Sequence, residues 1–284
     1  MKVLDFRVRP RVPFYYQGLV PTPSKEIGRY IKVYHAEPRM SFTSMEESIT
    51  EMREKGVEKG VIFCGRPVDN EIVATTVRNY PDAYVGLAAA RPDMGIRKAI
   101  DDLKKAFNEW GLAGLNHSPF LTGVPATDRN NYPIYALCEE MGKVAVIHSS
   151  VHYNPGTPLT MGDPLAVDQI AVDFPGLKIV LTHAGIGFGE IAFTVANRHD
   201  NVYLDFTAIR PMMMPKSALL MINGPLRKKC IWGTNYPCLD YTALEEWKPV
   251  VQPHVAPDFF YNNAARALGI EEANPPVPKE KKAG

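Results

Sequence analysis

The chain has 284 residues, 45% of them hydrophobic and 22% charged, the composition of an ordinary globular protein. Its 32 lysines and arginines against 31 aspartates and glutamates leave a formal net charge of +1, which argues against a nucleic-acid or anionic-membrane partner. No apolar stretch approaches the roughly 20 residues that span a bilayer, and the N-terminus lacks the pattern of a secretion signal, so a reducing, cytoplasmic setting is expected. The four cysteines, Cys64, Cys138, Cys230 and Cys238, form no CxxC pair and read mainly as buried thiols. Cys238, just after Tyr236 and Pro237, is the one whose context allows it to face a cavity.

The first apolar run, residues 3–5, leads into D-x-R-x-R: Asp5, Arg7 and Arg9. Alternate residues of a strand face one side, so this spacing aims three charged groups together. Residues 11–40 follow, long and broken by Pro13, Pro21, Pro23 and Pro38, with Phe14, Tyr15, Tyr16, Tyr30 and Tyr34. An insertion of that length is expected to lie over an active site. Ser44 with Glu47 predicts a capping box ahead of Met45, Ile49 and Met52. Further apolar, β-branched runs occupy 57–63, 84–88, 113–115, 144–148, 178–182, 202–205 and 229–233. Between them, Ile96, Ala99, Ile100, Leu103, Phe107 and Trp110 keep helical spacing, and 164–174, 187–197 and 258–268 are further helix candidates. The Pro/Lys/Glu-rich stretch 271–284 reads as a disordered tail.

Eight continuous apolar strands alternating with helices predict an α/β fold, a (β/α)8 TIM barrel in one domain over 1–270. An open doubly wound sheet is the alternative, without a G-x-G-x-x-G turn to support it. In such a barrel the chemistry sits at the C-terminal strand ends. The polar residues there are Asp5, Arg7 and Arg9; Asn116, His117 and Ser118; His148, Ser149 and Ser150; Thr182 and His183; Asp205 and Thr207; Thr234, Asn235 and Tyr236. A lone strand-end histidine is usually a satisfied core residue. Two on successive strands, in VIHSS and LTHAG, predict convergence at one site.

The motifs VLDFRVRP, GLAGLNHSPF, VAVIHSS, LTHAGIGF, IWGTNYP and NNAARALG resemble, in that order, those of the amidohydrolase superfamily. The resemblance is to the amidohydrolase-related branch of decarboxylases, hydratases and lactone hydrolases, and it runs over residues 3–269. It implies a His-x-His pair at the first strand, histidines at the fifth and sixth, and an aspartate at the eighth, together holding a divalent metal. His148 and His183 fall on the fifth and sixth positions. Arg7 and Arg9 replace His-x-His, and Asn235 replaces the aspartate, in GTNYP.

Arginine has no lone pair to give a metal, and two histidines fall short of the three protein ligands of a catalytic zinc site. No metal or other cofactor is therefore expected in the usual place. The alternative is one divalent ion such as zinc in a shifted site, held by His148 and His183 with His117, Cys238 or Asp205.

An arginine pair suits a carboxylate or a developing oxyanion. The expected function is metal-independent hydrolysis of a small carboxylated ester, lactone or amide. Arg7 and Arg9 clamp the anion, His148 and His183 act as general acid and base, and Asn235 completes the catalytic positions. Nearby arginines are expected to hold the histidines neutral. His117, Ser149 and Tyr15 are the further substrate-binding candidates. Alternatives are a decarboxylase- or hydratase-type lyase of the same branch, a non-catalytic anion binder, or a structural cluster in which Asp5 and Asp205 pair the arginines. A small anionic substrate is the expected partner, with no nucleic acid or membrane, and a homodimer is the default assembly.

Overall fold

The computed structural model of the chain describes residues 1–12 and 25–270. Eight strands, β1 (Leu4–Val8), β2 (Lys59–Phe63), β3 (Tyr84–Ala88), β4 (Gly114–His117), β5 (Val144–Ile147), β6 (Ile179–Leu181), β7 (Val202–Asp205) and β8 (Cys230–Ile231), pair in chain order. Every pair is parallel. The sheet curls round until Val8 bridges Tyr236 and the Arg9 N–H donates to Tyr236 O at 3.0 Å. The result is the expected TIM barrel. Each apolar run found in the sequence supplies one strand.

The helices α1 (Lys25–Val33), α2 (Met45–Glu54), α3 (Asn70–Asn79), α4 (Ile96–Asn108), α5 (Pro119–Thr122) and α6 (Tyr132–Glu140) belong to the first half. Then come α7 (Leu165–Asp173), α8 (Ile191–Arg198), α9 (Lys216–Asn223), α10 (Ala243–Trp247) and α11 (Asn263–Leu268). The capping box forms: Ser44 Oγ accepts from the Glu47 N–H at 3.1 Å and Glu47 Oε2 from the Ser44 N–H at 2.9 Å. The predicted last helix begins as a π-helical turn, Asp258–Asn262, before α11.

Alternation inside the apolar strands divides the core. Leu4, Phe6, Val61, Phe63, Leu87, Val144, Val146, Val180 and Ile231 fill the barrel interior. Ile62, Leu115, Ile147, Leu181 and Leu204 face outward, onto Leu103, Tyr135, Ile170, Phe193 and Trp247 of the helix layer. Each fully buried large apolar side chain contributes roughly 1.5–3 kcal/mol. Tyr261, Ala264, Ala265 and Leu268 pack onto the interior cluster. They cap the barrel with the C-terminal helix, opposite the polar strand ends.

The described part of the long segment after β1 lies against those strand-end loops. Arg39 donates from Nε to Pro237 O at 2.8 Å, and from Nη2 to Cys238 O at 2.6 Å and Tyr34 O at 3.1 Å. Tyr34 meets Tyr153 edge-on, with ring centroids 6.3 Å apart. It also packs on the cluster of Ala208, Cys238, Leu239 and Ala243. Cys238 is thus enclosed by apolar neighbours, and all four cysteines are free and buried. Tyr15, Tyr16 and the stretch 271–284 lie outside the described residues. No helix among the described residues is long and apolar enough to cross a membrane.

At Gly114 β4 lies tight against Val144 of β5. A Cβ there overlaps Val144 O and Val144 Cγ1, so Gly114→Ala must displace strand backbone. The expected loss is about 2–3 kcal/mol, read as a lower urea midpoint at unchanged m-value. An unchanged midpoint would show that the two strands separate freely at this point.

Candidate active site

The D-x-R-x-R strand does not present its three charged groups on one face. Asp5 lies opposite Gly60 and Val8 opposite Ile62, so β1 carries one residue more than β2 over this stretch. That bulge re-aims the side chains. Asp5 turns to the strand-8 side, where Oδ1 accepts from the Arg7 N–H at 3.1 Å and the Thr234 N–H at 2.8 Å. The Thr234 hydroxyl donates to Oδ2.

Arg7, 3% exposed, crosses the barrel mouth and donates from Nη1 to Asn116 Oδ1 at 3.1 Å. Asn116 Nδ2 in turn donates to Cys64 O at 2.9 Å, which fixes the amide with its oxygen toward the guanidinium. Arg9 donates from Nη1 to Asn235 Oδ1 at 2.7 Å. Both guanidinium carbons sit over the Phe63 ring, 3.8 Å and 4.5 Å from its centroid.

The two histidines converge, with ring centroids 5.3 Å apart. His183 leaves β6 in the left-handed region, φ 52° and ψ 31°, followed by Ala184 at φ 45°, a conformation that costs a non-glycine residue roughly 1–2 kcal/mol. It is held by its N–H donating to Asp205 Oδ1 at 2.9 Å and by Nδ1 at 2.8 Å from Thr207 O. A carbonyl only accepts, so Nδ1 carries the proton and Nε2 keeps a lone pair.

His148 Nε2 lies 3.3 Å from Ser150 Oγ, whose hydroxyl reaches Val151 O at 3.4 Å. With Ser150 donating to that carbonyl, Nε2 donates to Ser150 and the lone pair falls on Nδ1, which is buried and has no hydrogen-bond partner among the described residues. Phe120 covers this side. Its ring meets His148 at 4.5 Å and stacks on His152 at 5.0 Å.

Burial pushes the His148 imidazole well below its ordinary pKa, and His183, Arg7 and His152 push the same way. Burial also lowers His183; Asp205 opposes this, and Arg7 and Arg9 add to it. Both rings are neutral at pH 7. The arginine effect expected from the sequence is present but secondary to burial. At Asp5 burial outweighs the hydrogen bonds from Thr234 and Arg7 and raises the carboxyl to about 7.

Two sequence candidates fall elsewhere, and a third is not among the described residues. His117 shares the outward face of β4 with Leu115 and meets Tyr135 of α6 edge-on at 5.9 Å. Burial holds its pKa down at about 4. The mouth-facing residue of β4 is Asn116, because Asn116 and His117 alternate across the sheet. Ser149 Oγ is committed to Ile147 O at 3.1 Å, and Tyr15 lies outside the described residues. Asn235, 4% exposed and at φ 53°, does stand in the site, beside Arg9. Phe63 and Phe120 were not legible as site residues, since an apolar residue at a strand end or in a short helix reads as core.

The amidohydrolase family model matches residues 19–270, and the chain belongs to that family. Among curated proteins, 2-amino-3-carboxymuconate-6-semialdehyde decarboxylase from Dictyostelium discoideum is 23% identical over 201 residues. The match covers 59% of this chain and 55% of that protein, so the chain spans about half the length of the curated relative it matches. An uncharacterised TIM-barrel protein from Bordetella bronchiseptica superposes with a TM-score of 0.80 at 24% identity, over 95% of this chain and 99% of that one. A 5-carboxyvanillate decarboxylase from Novosphingobium aromaticivorans, complexed with manganese and 4-hydroxy-3-methoxy-5-nitrobenzoic acid, superposes at 0.67 with 13% identity, over 95% and 96% of the two chains. At these identities the structural likeness is one of fold.

The donors here do not fit the divalent ion that this decarboxylase binds. Arg7 and Arg9 bring cations where ligands are needed, and Asn235 Oδ1 accepts from Arg9. Of the shifted set, His117 faces Tyr135 and Cys238 is enclosed, while Asp205 commits Oδ1 to three donors and keeps Oδ2 without a hydrogen-bond partner among the described residues. Among the described residues no three His, Cys, Asp or Glu side chains converge as a metal set. Calorimetric titration with manganese or zinc is expected to show no stoichiometric binding. The triple variant Arg7→His, Arg9→His, Asn235→Asp is expected to bind one ion. A wild-type chain that binds one equivalent sinks the arginine-for-metal assignment.

Asp5 sets a pH dependence of stability. Its folded pKa of about 7 lies above the ordinary 3.8, so the folded state holds a proton that the unfolded state gives up. The contribution is complete below about pH 4 and is lost as pH rises through 7, on the order of 4 kcal/mol in all. The buried histidines His117, His148 and His183, whose pKa values are held down, give the opposite slope below about pH 6.5 in wild type and variant alike. The expected signature is therefore a wild-type advantage in urea midpoint over Asp5→Asn that shrinks from pH 4 to 8. A difference between the two that grows across this window contradicts a protonated Asp5.

Proposed function

We propose that the barrel mouth hydrolyses a small carboxylate-bearing ester, lactone or amide without a bound metal. The observation that carries this reading is the meeting of two guanidiniums and two neutral imidazoles at one end of the barrel. Arg9, the more open of the pair, binds the substrate carboxylate, and Arg7 faces the carbonyl oxygen. His183 Nε2 accepts a proton from water as that water attacks the carbonyl carbon. Negative charge gathers on the carbonyl oxygen, where the Arg7 guanidinium stabilises it in a site largely closed to solvent. Collapse of the tetrahedral adduct breaks the bond to the leaving oxygen or nitrogen, which takes the proton back from His183.

The names of the relatives favour a second reading. Both named enzymes are decarboxylases of carboxylated compounds. In that case the arginines anchor the substrate and stabilise the electron pair left when CO2 departs, and a protonated histidine or water supplies the proton to carbon.

One assay separates the two. Carboxylated lactones, esters and aromatic acids are incubated in 18O-water, and product label and released CO2 are followed together. Hydrolysis puts one 18O into the product acid; decarboxylation releases CO2 and leaves the product skeleton unlabelled. Under either reading Arg7→Met should lower kcat/KM by about 10²–10³-fold. For hydrolysis the acid limb of kcat/KM should lie below the ordinary imidazole value of about 6.5 and move up in Arg7→Met. Full activity in Arg7→Met would falsify the assignment.

A further inference from the structure

We propose that Asp205 and Thr207 are positioning residues that fix the tautomer and aim of His183, so that Nε2 meets the barrel mouth as a bare lone pair. The proposal rests on the reading of His183 as the proton acceptor. It concerns residues on β7 and just after it, one strand removed from the histidine they control.

One oxygen does the holding. Asp205 Oδ1 accepts from the His183 N–H at 2.9 Å, the Thr207 N–H at 3.0 Å and the Thr207 hydroxyl at 2.5 Å. It thereby ties the left-handed exit of β6 to the turn after β7. The same turn brings Thr207 O to 2.8 Å from His183 Nδ1. Thr207 Oγ1 lies 2.9 Å from Nδ1, and because its own proton goes to Asp205 it offers that nitrogen a lone pair. Two acceptors therefore face Nδ1, and none of the geometry favours a proton on Nε2.

Thr207 is itself held in place. A Cβ on Gly233 would overlap Thr207 Cγ2 and come within 2.8 Å of Asp5 Oδ1, so the bare glycine lets the threonine methyl lie against β8. Asp205 is fully buried, and its Oδ2 has no hydrogen-bond partner among the described residues. Its Oδ1 alone ties the two loops.

The test needs no substrate. The full chain is labelled with 15N-histidine, and His183 is assigned by the signals lost in His183→Gln. At pH 8 the wild type is expected to show Nδ1 protonated and Nε2 bare. Thr207→Val and Asp205→Asn are expected to show a mixture of tautomers, with Thr207→Ser restoring the single form. A wild type with its proton on Nε2, or variants with the wild-type tautomer and only a lower melting temperature, overturns the proposal.

Turnover supplies the second readout. Thr207→Val should lose about tenfold in kcat with KM within twofold, since aim is lost and binding is not, and Thr207→Ser should recover it. A wild type inactive on every carboxylated substrate counts against the reaction reading alone, because the tautomer populations still decide the positioning.

Discussion

A guanidinium as buried as Arg7 is costly unless its donors are matched and its plane is packed. Much of the barrel mouth follows from meeting that demand. Phe63, at the end of β2, supplies the aromatic face under both guanidiniums. Asn116 supplies an acceptor across the barrel, and Cys64 O holds that amide the right way round. Asn235 does the same for Arg9 on the strand-8 side. The β1 bulge is the backbone's part in this, because it separates Asp5 from the arginines and sends it to Thr234. Amide acceptors leave the positive charge of the mouth in place for an incoming anion, whereas Asp5 and the Oδ1 of Asp205 take hydrogen bonds from Thr234, Thr207 and backbone N–H groups.

Burial sets the state of the other groups, and the arginine charge adds to it at the two histidines. Imidazoles placed near two cations and buried among aromatic rings stay neutral, so they can accept protons at pH 7 but are rarely charged. Asp5, buried on the same rim, keeps its proton to about pH 7, which spares the site a further negative charge. A divalent ion would meet the opposite conditions, with cations in its ligand positions.

How much of this was legible in the sequence follows from which signals are local. Eight apolar runs and their helices follow from periodicity, and the two histidines in VIHSS and LTHAG converge because their strands are neighbours. The common face assigned to Asp5, Arg7 and Arg9 failed because a one-residue bulge leaves no mark in the alternation it breaks. His117 and Asn116 were a choice between adjacent residues, and the histidine drew the functional reading although the amide faces the mouth. Phe63 was missed because an apolar strand end is read as core. The His183 tautomer depends on a carbonyl 24 residues away, a contact that no spacing rule encodes.

Hydrolysis and decarboxylation ask the same things of this mouth up to a point. Both need an anchored carboxylate and a cation where an electron pair accumulates, and both need a histidine to move one proton. They differ in which bond of the substrate lies under Arg7. A carboxylate that is to leave as CO2 is stabilised in the ground state by any guanidinium that grips it, which raises the barrier to losing it. Decarboxylation therefore requires the reacting carboxylate to lie away from the arginines, against apolar surface such as the Phe120 side of the site. Hydrolysis requires the carbonyl to lie directly at Arg7, with water between it and His183. The neutral, lone-pair-bearing state of His183 suits the second arrangement without adjustment, since a proton acceptor is ready before the substrate arrives.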